Sequence, residues 1–443
     1  MTTTRIQHLA IVTLDHAGTI LHDADLIVTE GRIAHLGAAP EDLSADEVVD
    51  GSGRVAMPGL VNSHCHSPMS FERGWAEDLP FDRWLNEKIW VGESALRPED
   101  VYWGAALAAC EMIRSGTVAY NDKYFHMDRV ADVVRQSGMK AALTWTVFGI
   151  GDQAEVGRNL EGTLDWIRET HQSAEGRLRT YLGPHSPYIC PPEFLETIVR
   201  HAHDLGQGIH LHLAESEEQV QQSLARHELR PVQHVDRLGV FDVPGGCVAA
   251  HCLAIDEDDT AILAEKGVHV PHSPITYMKL AMPFPPLRHR LEAGVRVCLA
   301  TDGPASNSDM DMFATVRQTA LIHKYQSLDP EQIPGDLALR LATQASARAL
   351  GFPEMGELRI GAPADLILVN LDAPHMRPVH SLVANLVHSA KGSDVTDVMV
   401  EGRWLMRNRE LQTLDEAQIL VEAERHAQAM VQRGMQQVRA YKG

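Results

Sequence analysis

Short apolar runs alternate with amphipathic stretches through the middle of the chain. The apolar runs have the length and composition of buried strands and cover residues 59–66, 116–120, 141–147, 178–183, 208–213, 247–251, 268–272 and 295–300. The stretches between them have helical spacing, and examples cover residues 98–115, 126–138, 191–206, 215–229, 256–266 and 311–326. Eight strand–helix units in succession predict an α/β fold, a (β/α)8 barrel of the TIM type, over residues 58–356.

The two ends of the chain share a different pattern, in which short apolar segments alternate with turn residues. These segments cover residues 9–14, 25–28, 32–36 and 47–50 at one end, and 357–360, 364–369 and 395–402 at the other. We expect segments 1–57 and 357–443 to meet in one small β-sandwich domain beside the barrel. A capping box at Thr413-Leu414-Asp415-Glu416 predicts a final helix that runs to about residue 440.

Composition narrows the partners that such a protein would have. The 443 residues include 60 acidic and 39 basic side chains, for a net charge of −21, and the basic residues form no block. Nucleic acid and anionic membranes both require clustered Lys and Arg, so we expect neither as a partner and expect a small-molecule substrate. The first residues lack the apolar core of a signal peptide, and no stretch reaches membrane-spanning length.

Cysteine usage supports the same interpretation. The six cysteines are scattered and form no Cys-x-x-Cys motif, which argues against a disulfide framework and against a cysteine-based zinc site. We therefore predict a cytoplasmic protein with reduced thiols. Barrels with a small β domain often pair, so we also predict a homo-oligomer.

Two histidines, His64 and His66, end the first barrel strand in Pro58-Gly59-Leu60-Val61-Asn62-Ser63-His64-Cys65-His66. Side chains alternate along a strand, so residues i and i+2 point to the same face. Two imidazoles on one face are a ready pair of metal ligands. In a chain with 24 histidines, the pair alone is equally compatible with a structural role.

Three other barrel strands also end in ionisable residues. The fifth strand ends in His212 followed by Glu215, the sixth ends in His251, and the eighth ends in Asp302 of Thr301-Asp302-Gly303. Each has a structural interpretation by itself, since Glu215 opens an acidic helical turn and Asp302 precedes a Gly-Pro turn. The active sites of such barrels lie at the carboxyl ends of the strands. Four such positions at that one end therefore favour a single metal site.

The chemistry of these residue types is consistent with hydrolysis. Three neutral imidazoles and one carboxylate from this set suffice to hold a divalent zinc or iron ion and leave a position for water, whose pKa the metal lowers. Glu215 can pass a proton from the water to a substrate, His251 can hold or polarise the water, and Asp302 can accept its proton. Strand four ends in Gly183-Pro184-His185 without a bridging lysine, so we expect one metal ion.

These motifs resemble those of the amidohydrolase superfamily and, within it, of the 5′-methylthioadenosine/S-adenosylhomocysteine deaminase family. The resemblance covers nearly the whole chain. Its motifs are Pro58-Gly59-Leu60-Val61-Asn62-Ser63-His64-Cys65-His66-Ser67-Pro68-Met69, Arg73-Gly74-Trp75-Ala76-Glu77-Asp78-Leu79-Pro80, Trp84-Leu85, Gly183-Pro184-His185-Ser186-Pro187-Tyr188, His212-Leu213-Ala214-Glu215, Ala250-His251-Cys252 and Thr301-Asp302-Gly303-Pro304-Ala305-Ser306-Asn307.

The resemblance implies a role for each matching residue. The implied metal ligands are His64, His66, His212 and Asp302, and the implied catalytic groups are Glu215, His251 and Asp302. Glu93 would contact the ribose hydroxyls and His185 the purine ring. The implied reaction is hydrolytic deamination of an adenine nucleoside, in which activated water adds to the amine-bearing ring carbon and ammonia leaves. The implied cofactor is one divalent ion, zinc in the first place, with iron or manganese as alternatives.

Two departures from the family pattern concern the substrate. The family usually has Ser-Asn before a Leu-Lys-Leu run, whereas this chain has Ile275-Thr276-Tyr277, so we expect Tyr277 to enter the pocket. Trp145 stands where deaminases of S-adenosylhomocysteine carry an arginine for the amino-acid carboxylate, and Arg158 is a candidate replacement. A pocket with Trp145 and Tyr277 would favour an uncharged or flatter substrate.

Two other functions are compatible with parts of this pattern. A triazine-type amino- or chlorohydrolase would use the same metal site on another nitrogen heterocycle, but Glu93, His185 and Gly303 favour a nucleoside. A dependence of turnover on the ribose hydroxyls would distinguish these two enzymes. A non-catalytic barrel used for binding or assembly would be expected to lack metal ligands, whereas here the set is complete.

Overall fold

The computed structural model describes residues 2–39 and 44–442. The chain begins with strands that belong to a sheet outside the barrel. They are β1 (Thr3–Val12), β2 (Ile20–Thr29), β3 (Arg32–Gly37), β4 (Glu47–Asp50) and β5 (Arg54–Pro58). Alternate residues of β1 and most of the second half of β2 are buried, as expected of strands with one face against a core.

A parallel barrel follows and confirms the predicted fold. Its strands, in chain order and in spatial order, are β6 (Leu60–Cys65), β7 (Thr117–Tyr124), β8 (Lys140–Val147), β9 (Leu178–Pro184), β10 (Gly208–Leu213), β11 (Cys247–His251), β12 (His269–His272) and β13 (Arg296–Leu299). Side chains of the first strand close the ring through hydrogen bonds to the end of the last strand and the residues after it: Asn62 Nδ2 donates to Thr301 Oγ1 at 2.7 Å, and Ser63 Oγ donates to the Leu299 carbonyl at 2.7 Å.

Helices cover the outside of the barrel and shape its carboxyl end. The α-helices up to the last barrel strand are α1 (Phe81–Trp84), α2 (Trp90–Glu93), α3 (Pro98–Arg114), α4 (Met127–Ser137), α5 (Gln153–Thr170), α6 (Pro192–Leu205), α7 (Glu217–His227), α8 (Pro231–Arg237), α9 (Glu257–Glu265), α10 (Pro274–Lys279) and α11 (Leu287–Glu292). Those after it are α12 (Pro304–Asn307), α13 (Met312–Ser327), α14 (Gly335–Arg340), α15 (Ser346–Ala349), α16 (Leu382–His388) and α17 (Glu416–Lys442). Leu85–Ile89 and Leu341–Ala345 are π-helical, and Ser67–Glu72, Val240–Asp242, Pro374–Met376 and Gly392–Asp394 are 3₁₀ turns.

The two ends of the chain meet in one sheet, as the sequence predicts. The late strands are β14 (Leu366–Asn370), β15 (Val395–Val400), β16 (Arg403–Arg407) and β17 (Glu410–Leu411), and the order is β17-β16-β15-β14-β5-β1-β2-β3, with β4 beside β1. The antiparallel pair of β5 and β14 joins the two segments. A separate apolar cluster packs between strands from both ends and includes Leu26, Ile33 and Leu366. The division of the chain at residues 57/58 and 356/357 stays a prediction.

Two local expectations at the C-terminal end are corrected. Residues 357–360 form no strand, because they turn back toward β1 and the amide of Leu358 donates to the carbonyl of Thr13. The last helix begins at Glu416 and not at a Thr413 cap: Asp415 Oδ1 accepts from the Gln418 amide at 3.0 Å. Thr413 instead donates to the Ser137 carbonyl, and Glu416 pairs with Arg114. In the described part of the chain, no helix combines the length and apolarity needed to cross a membrane.

A buried ion pair ties the barrel to the sheet, and its loss is expected to be costly. Lys140 Nζ at the start of β8 lies 2.7 Å from Asp365 Oδ2, and both side chains are at most 3% exposed. We expect Asp365→Asn to lower the free energy of unfolding by about 3 kcal/mol, since it leaves a buried ammonium with weaker pairing. Denaturant unfolding measures the change. Asp165→Asn removes an exposed pair with Arg168 and serves as the control, with an expected change of less than about 1 kcal/mol. Equal effects of the two variants would contradict this account.

Candidate active site

The polar residues at the strand ends converge on one side of the barrel. His64 is on β6 and His66 follows it, while His212 is on β10, His251 ends β11 and Asp302 follows β13. The backbone at His251 and Asp302 has φ of +77° and +67°, a left-handed conformation that non-glycine residues seldom adopt. Such strained positions cluster at functional sites, where the surrounding structure holds them.

Two overlapping sets of donor atoms lie close enough to share one ion. His64, His66 and His212 form one set, and His64, His251 and Asp302 form the other, with the donor atoms of each set within 4.8 Å of one another. Asp302 Oδ1 lies 3.3 Å from His66 Nε2 and 3.6 Å from His64 Nε2. The structure therefore brings together the four residues that the sequence proposes as metal ligands, with His251 beside them.

Hydrogen bonds behind these side chains fix their orientation. His66 Nδ1 donates to the Lys123 carbonyl, which leaves the Nε2 lone pair directed at the cluster. His64 Nδ1 and His210 Nε2 share a hydrogen bond at 2.9 Å. Asp302 Oδ1 accepts from the Gly303 amide at 2.9 Å, and Oδ2 accepts from Ser306 Oγ at 3.1 Å. Such outer contacts set the tautomer and direction of ligands in metal sites.

The donor set fits a divalent metal ion. His64 Nε2 is buried, has no hydrogen-bond partner among the described residues and lies 3.6 Å from Asp302 Oδ1. An unpaired buried nitrogen is costly in a folded protein, and a metal ion at this position would satisfy it. Burial lowers the pKa of His64 to about 3 and lowers the pKa of His212 well below its usual value. Both imidazoles are therefore neutral near pH 7, which is the form that binds metal.

Glu215 lies beside the cluster and is held from two sides. Tyr188 Oη donates to Glu215 Oε1, and the Glu215 amide donates to Gln219 Oε1 at 2.9 Å. The residue before it, Ala214, has φ of +50°, so the chain turns sharply after β10 and directs the carboxyl group into the barrel mouth. A carboxyl group in this position can take up and release a proton next to a bound reactant.

A cavity of about 330 Å³ opens from the cluster, and Glu215, Glu93 and His185 all line it. The His185 ring stacks on Phe148 with a centroid distance of 5.4 Å. Burial raises the pKa of Glu93 to about 7, although its hydrogen bond with Tyr124 favours the charged form. Aromatic walls with a few polar groups are typical of a site for a flat ring compound.

Trp145 and Arg158 lie in a second cavity and not in the first. This neighbouring space of about 860 Å³ shares Glu93, Thr146 and Phe148 with the first cavity. The Trp145 ring packs edge-on against Trp166 at 5.3 Å, and Arg158 is exposed on α5. The two residues therefore border space that adjoins the metal-site cavity on the side of Glu93.

Tyr277 does not enter the pocket, contrary to the expectation from sequence. Its side chain is fully buried, and its hydroxyl donates to the Pro271 carbonyl at 3.4 Å. The ring lies among His272, Phe284 and His251, because α10 turns this position toward the barrel wall. Thr276, the preceding residue, lines the cavity instead.

The sequence reading missed Lys123, which also lines the cavity. Its side chain is only 1% exposed, and burial lowers the pKa of its amino group to about 7. The apolar pattern of β7 ends at Tyr120, so Asn121, Asp122 and Lys123 read as a loop, yet the strand continues to Tyr124. One feature of the sequence could have indicated it: Lys123 is three residues beyond an apolar strand, and barrels place functional groups at such strand ends.

The fold and this cluster define a metal-dependent hydrolase built on a (β/α)8 barrel. The chain matches the Amidohydrolase family over residues 55–405 and belongs to that family. A protein from Dictyoglomus thermophilum named 5-methylthioadenosine/S-adenosylhomocysteine deaminase is 45% identical over 389 residues, which are 88% of this chain and 90% of that protein.

Solved structures give the same picture of the fold. An adenosine deaminase from Xanthomonas campestris with bound zinc is 31% identical and superposes with a TM-score of 0.91, over 97% of this chain and 98% of that one. An atrazine chlorohydrolase from Arthrobacter aurescens, in complex with zinc, is 24% identical with a TM-score of 0.87, over 97% of this chain and all of that one. At that identity the second likeness concerns the fold alone.

Proposed function

We propose that the protein is a hydrolytic deaminase of adenine nucleosides, of the 5′-methylthioadenosine, S-adenosylhomocysteine or adenosine type. One observation carries the proposal: Glu215 and members of the imidazole–carboxylate cluster line one cavity, which also presents Glu93 and His185. Glu215 suits the reacting edge of a nucleoside, Glu93 suits its sugar, and His185 suits its ring. The names of the relatives from Dictyoglomus and Xanthomonas support the same substrate class.

We propose one divalent metal ion, zinc in the first place, held by His64, His66, His212 and Asp302. Imidazole and carboxylate ligands suit zinc, and iron and manganese accept the same set. The ion would supply Lewis-acid activation of water at the mouth of the barrel. The zinc in the Xanthomonas structure supports this choice.

The side chains around that position would carry the proton transfers. Glu215 would deliver a proton to the ring nitrogen next to the amine-bearing carbon, which prepares that carbon for attack by water. His251 and Asp302 would stabilise the charge that develops at the same carbon. Tyr188, through its hydrogen bond, would hold the Glu215 carboxyl group in position. The proton that Glu215 delivers would come from the attacking water, and Asp302 would take the second proton of that water and pass it to the amine. The amine would then leave as ammonia, and the oxygen of the water would remain on the ring as a carbonyl group.

We propose that the 5′ substituent of the nucleoside extends into the second cavity, between Trp145 and Arg158. Glu93 lines both cavities, which supports a position of the ribose between the ring and the substituent. The test is ultraviolet-monitored deamination of 5′-methylthioadenosine, adenosine and S-adenosylhomocysteine by the metal-loaded protein. Rapid conversion of any of them supports the function. The relative rates of the three substrates show which 5′ substituent the cavity beside Trp145 and Arg158 accepts. If the protein converts none of the three nucleosides, the proposed function is overturned.

The role of Glu93 gives a prediction that separates a nucleoside from another heterocycle. At pH 8, above the pKa of about 7 of Glu93, we expect Glu93→Gln to lower kcat/KM for adenosine about 10- to 100-fold, because a hydrogen bond from a sugar hydroxyl to a charged carboxylate is replaced by a weaker one to an amide. For 2′,3′-dideoxyadenosine, which lacks those hydroxyls, wild type and variant should differ little. Glu99→Gln, on the exposed side of α3, is the matched control. An equal loss on both substrates would show that Glu93 does not act through the ribose hydroxyls.

We also propose that the protein is cytoplasmic, binds no nucleic acid and forms a homo-oligomer. These proposals rest on the dispersed acidic charge, the unpaired cysteines and the barrel with its added sheet.

A further inference from the structure

We infer that Lys123 is a specificity-determining residue, which donates a hydrogen bond to a ring nitrogen of the substrate other than the one that Glu215 protonates. The inference rests on the proposed function, since it concerns the adenine ring within that site. Lys123 lies outside the family motifs and outside the imidazole–carboxylate cluster, so neither of them requires a lysine at this position.

The position of Lys123 points to a ligand. Its side chain leaves β7 near the carboxyl end of the strand, and it lines the same cavity as His185 and Glu215. The neighbouring strands provide Thr146 on β8, His185 after β9 and Glu215 after β10. The amino group therefore lies on the same arc of the barrel mouth as the groups assigned to the ring.

The hydrogen bonds of the amino group are incomplete. Lys123 Nζ donates to Thr146 Oγ1 at 3.2 Å, and this is its one side-chain hydrogen bond among the described residues. No carboxylate oxygen of the described chain lies within 4.0 Å of it, unlike Lys140, which has two acidic partners. A lysine amino group carries two or three N–H donors, and a buried donor without an acceptor is costly. A bound acceptor would satisfy the group.

The chemistry of the surroundings selects the kind of acceptor. His66, His185 and His212 line the same cavity, and burial lowers the pKa of His185 and His212 well below the usual value, so these two imidazoles bring no positive charge. Glu215 and Asp302 supply negative charge nearby. An anionic substrate group would meet these carboxylates, whereas a neutral ring nitrogen accepts a hydrogen bond without that repulsion. Aromatic rings in the lining, such as Phe148 and Tyr124, suit a flat heterocycle.

The test pairs a variant with substrate analogues that lack one acceptor each. Lys123→Met keeps an unbranched side chain of nearly the same length and removes the donor. We compare kcat/KM of wild type and variant on adenosine, 3-deazaadenosine and 7-deazaadenosine, in which a C–H group replaces one ring nitrogen. We expect a loss of about 10- to 100-fold on adenosine and on one analogue, and almost none on the other, whose missing nitrogen is the partner. Thr146→Val should give a smaller loss with the same substrate pattern, since Thr146 orients the amino group.

Controls separate this role from a structural one. The Lys123 carbonyl holds His66, so metal content and thermal unfolding of Lys123→Met must equal those of wild type. Lys266→Met, which removes a surface lysine paired with Asp242, is the matched control. A loss by the same factor on all three substrates, or no loss on any, would overturn the inference. If the wild-type protein deaminates none of 5′-methylthioadenosine, adenosine and S-adenosylhomocysteine, the proposed function fails and the inference falls with it, an outcome distinct from an unselective Lys123 variant.

Discussion

Replacing Glu215 with glutamine is expected to lower kcat by about 10²- to 10⁴-fold, the range by which a positioned acid–base group accelerates a reaction. Glutamine keeps the size of the side chain and can still meet Tyr188, so the cavity retains its shape. It has no proton to exchange with the ring nitrogen. Steady-state kinetics on the best nucleoside substrate, with metal content measured on the same samples, provides the test.

The matched control for this variant is Glu217→Gln. Glu217 is two residues further along, is exposed in the first turn of α7, and accepts a hydrogen bond from Gln221. We expect that variant to behave as wild type. Full activity of Glu215→Gln would remove Glu215 from the mechanism, whereas loss of metal together with activity would show that Glu215 supports the metal site.

Replacing His64 with alanine is expected to abolish metal binding and, with it, turnover. His64 is the one residue common to both sets of donor atoms, and it is completely buried. Loss of an outer contact costs about 10- to 100-fold in metal affinity, so loss of this ligand should cost more than about 100-fold. Metal analysis after dialysis measures the stoichiometry.

His203→Ala is the control for that experiment, because His203 is exposed in the last turn of α6, which leads into the start of β10 at the end of the barrel opposite the cluster. It should bind metal as wild type does. A His64→Ala protein that retains metal at full stoichiometry would refute the assignment of the site. If His64→Ala does not fold, His64→Gln takes its place in the experiment, because glutamine fills more of the same space and should still fail to bind the ion.

Most of the fold could be predicted because apolar strands and amphipathic helices alternate with a clear period. The barrel strands lie within a few residues of their predicted bounds, with β7 as the exception. Its last residues are polar and still buried, since Asp122 accepts hydrogen bonds from both the amide and the hydroxyl of Ser67. Hydrophobicity alone ends such a strand too early, and Lys123 was missed for that reason.

The imidazole–carboxylate cluster could be predicted from the sequence for a different reason. Its residues end separate strands, and in a closed parallel barrel all such ends lie on one side. Side-chain direction within short helices is not accessible in this way. Tyr277 turns into the wall because of the geometry of α10, and Trp145 faces the neighbouring cavity because of its packing on Trp166. Both depend on tertiary contacts that a one-dimensional pattern does not contain.

Mass analysis of the product formed from adenosine in water enriched in ¹⁸O distinguishes metal-dependent hydrolytic deamination from other reactions. The metal-loaded protein should release ammonia and yield a ring carbonyl that carries one ¹⁸O atom from the solvent, and the metal-depleted protein should yield neither. Release of ammonia without incorporation of the label would contradict hydrolytic attack at the amine-bearing carbon. Equal activity of loaded and depleted protein would contradict the role of the metal site.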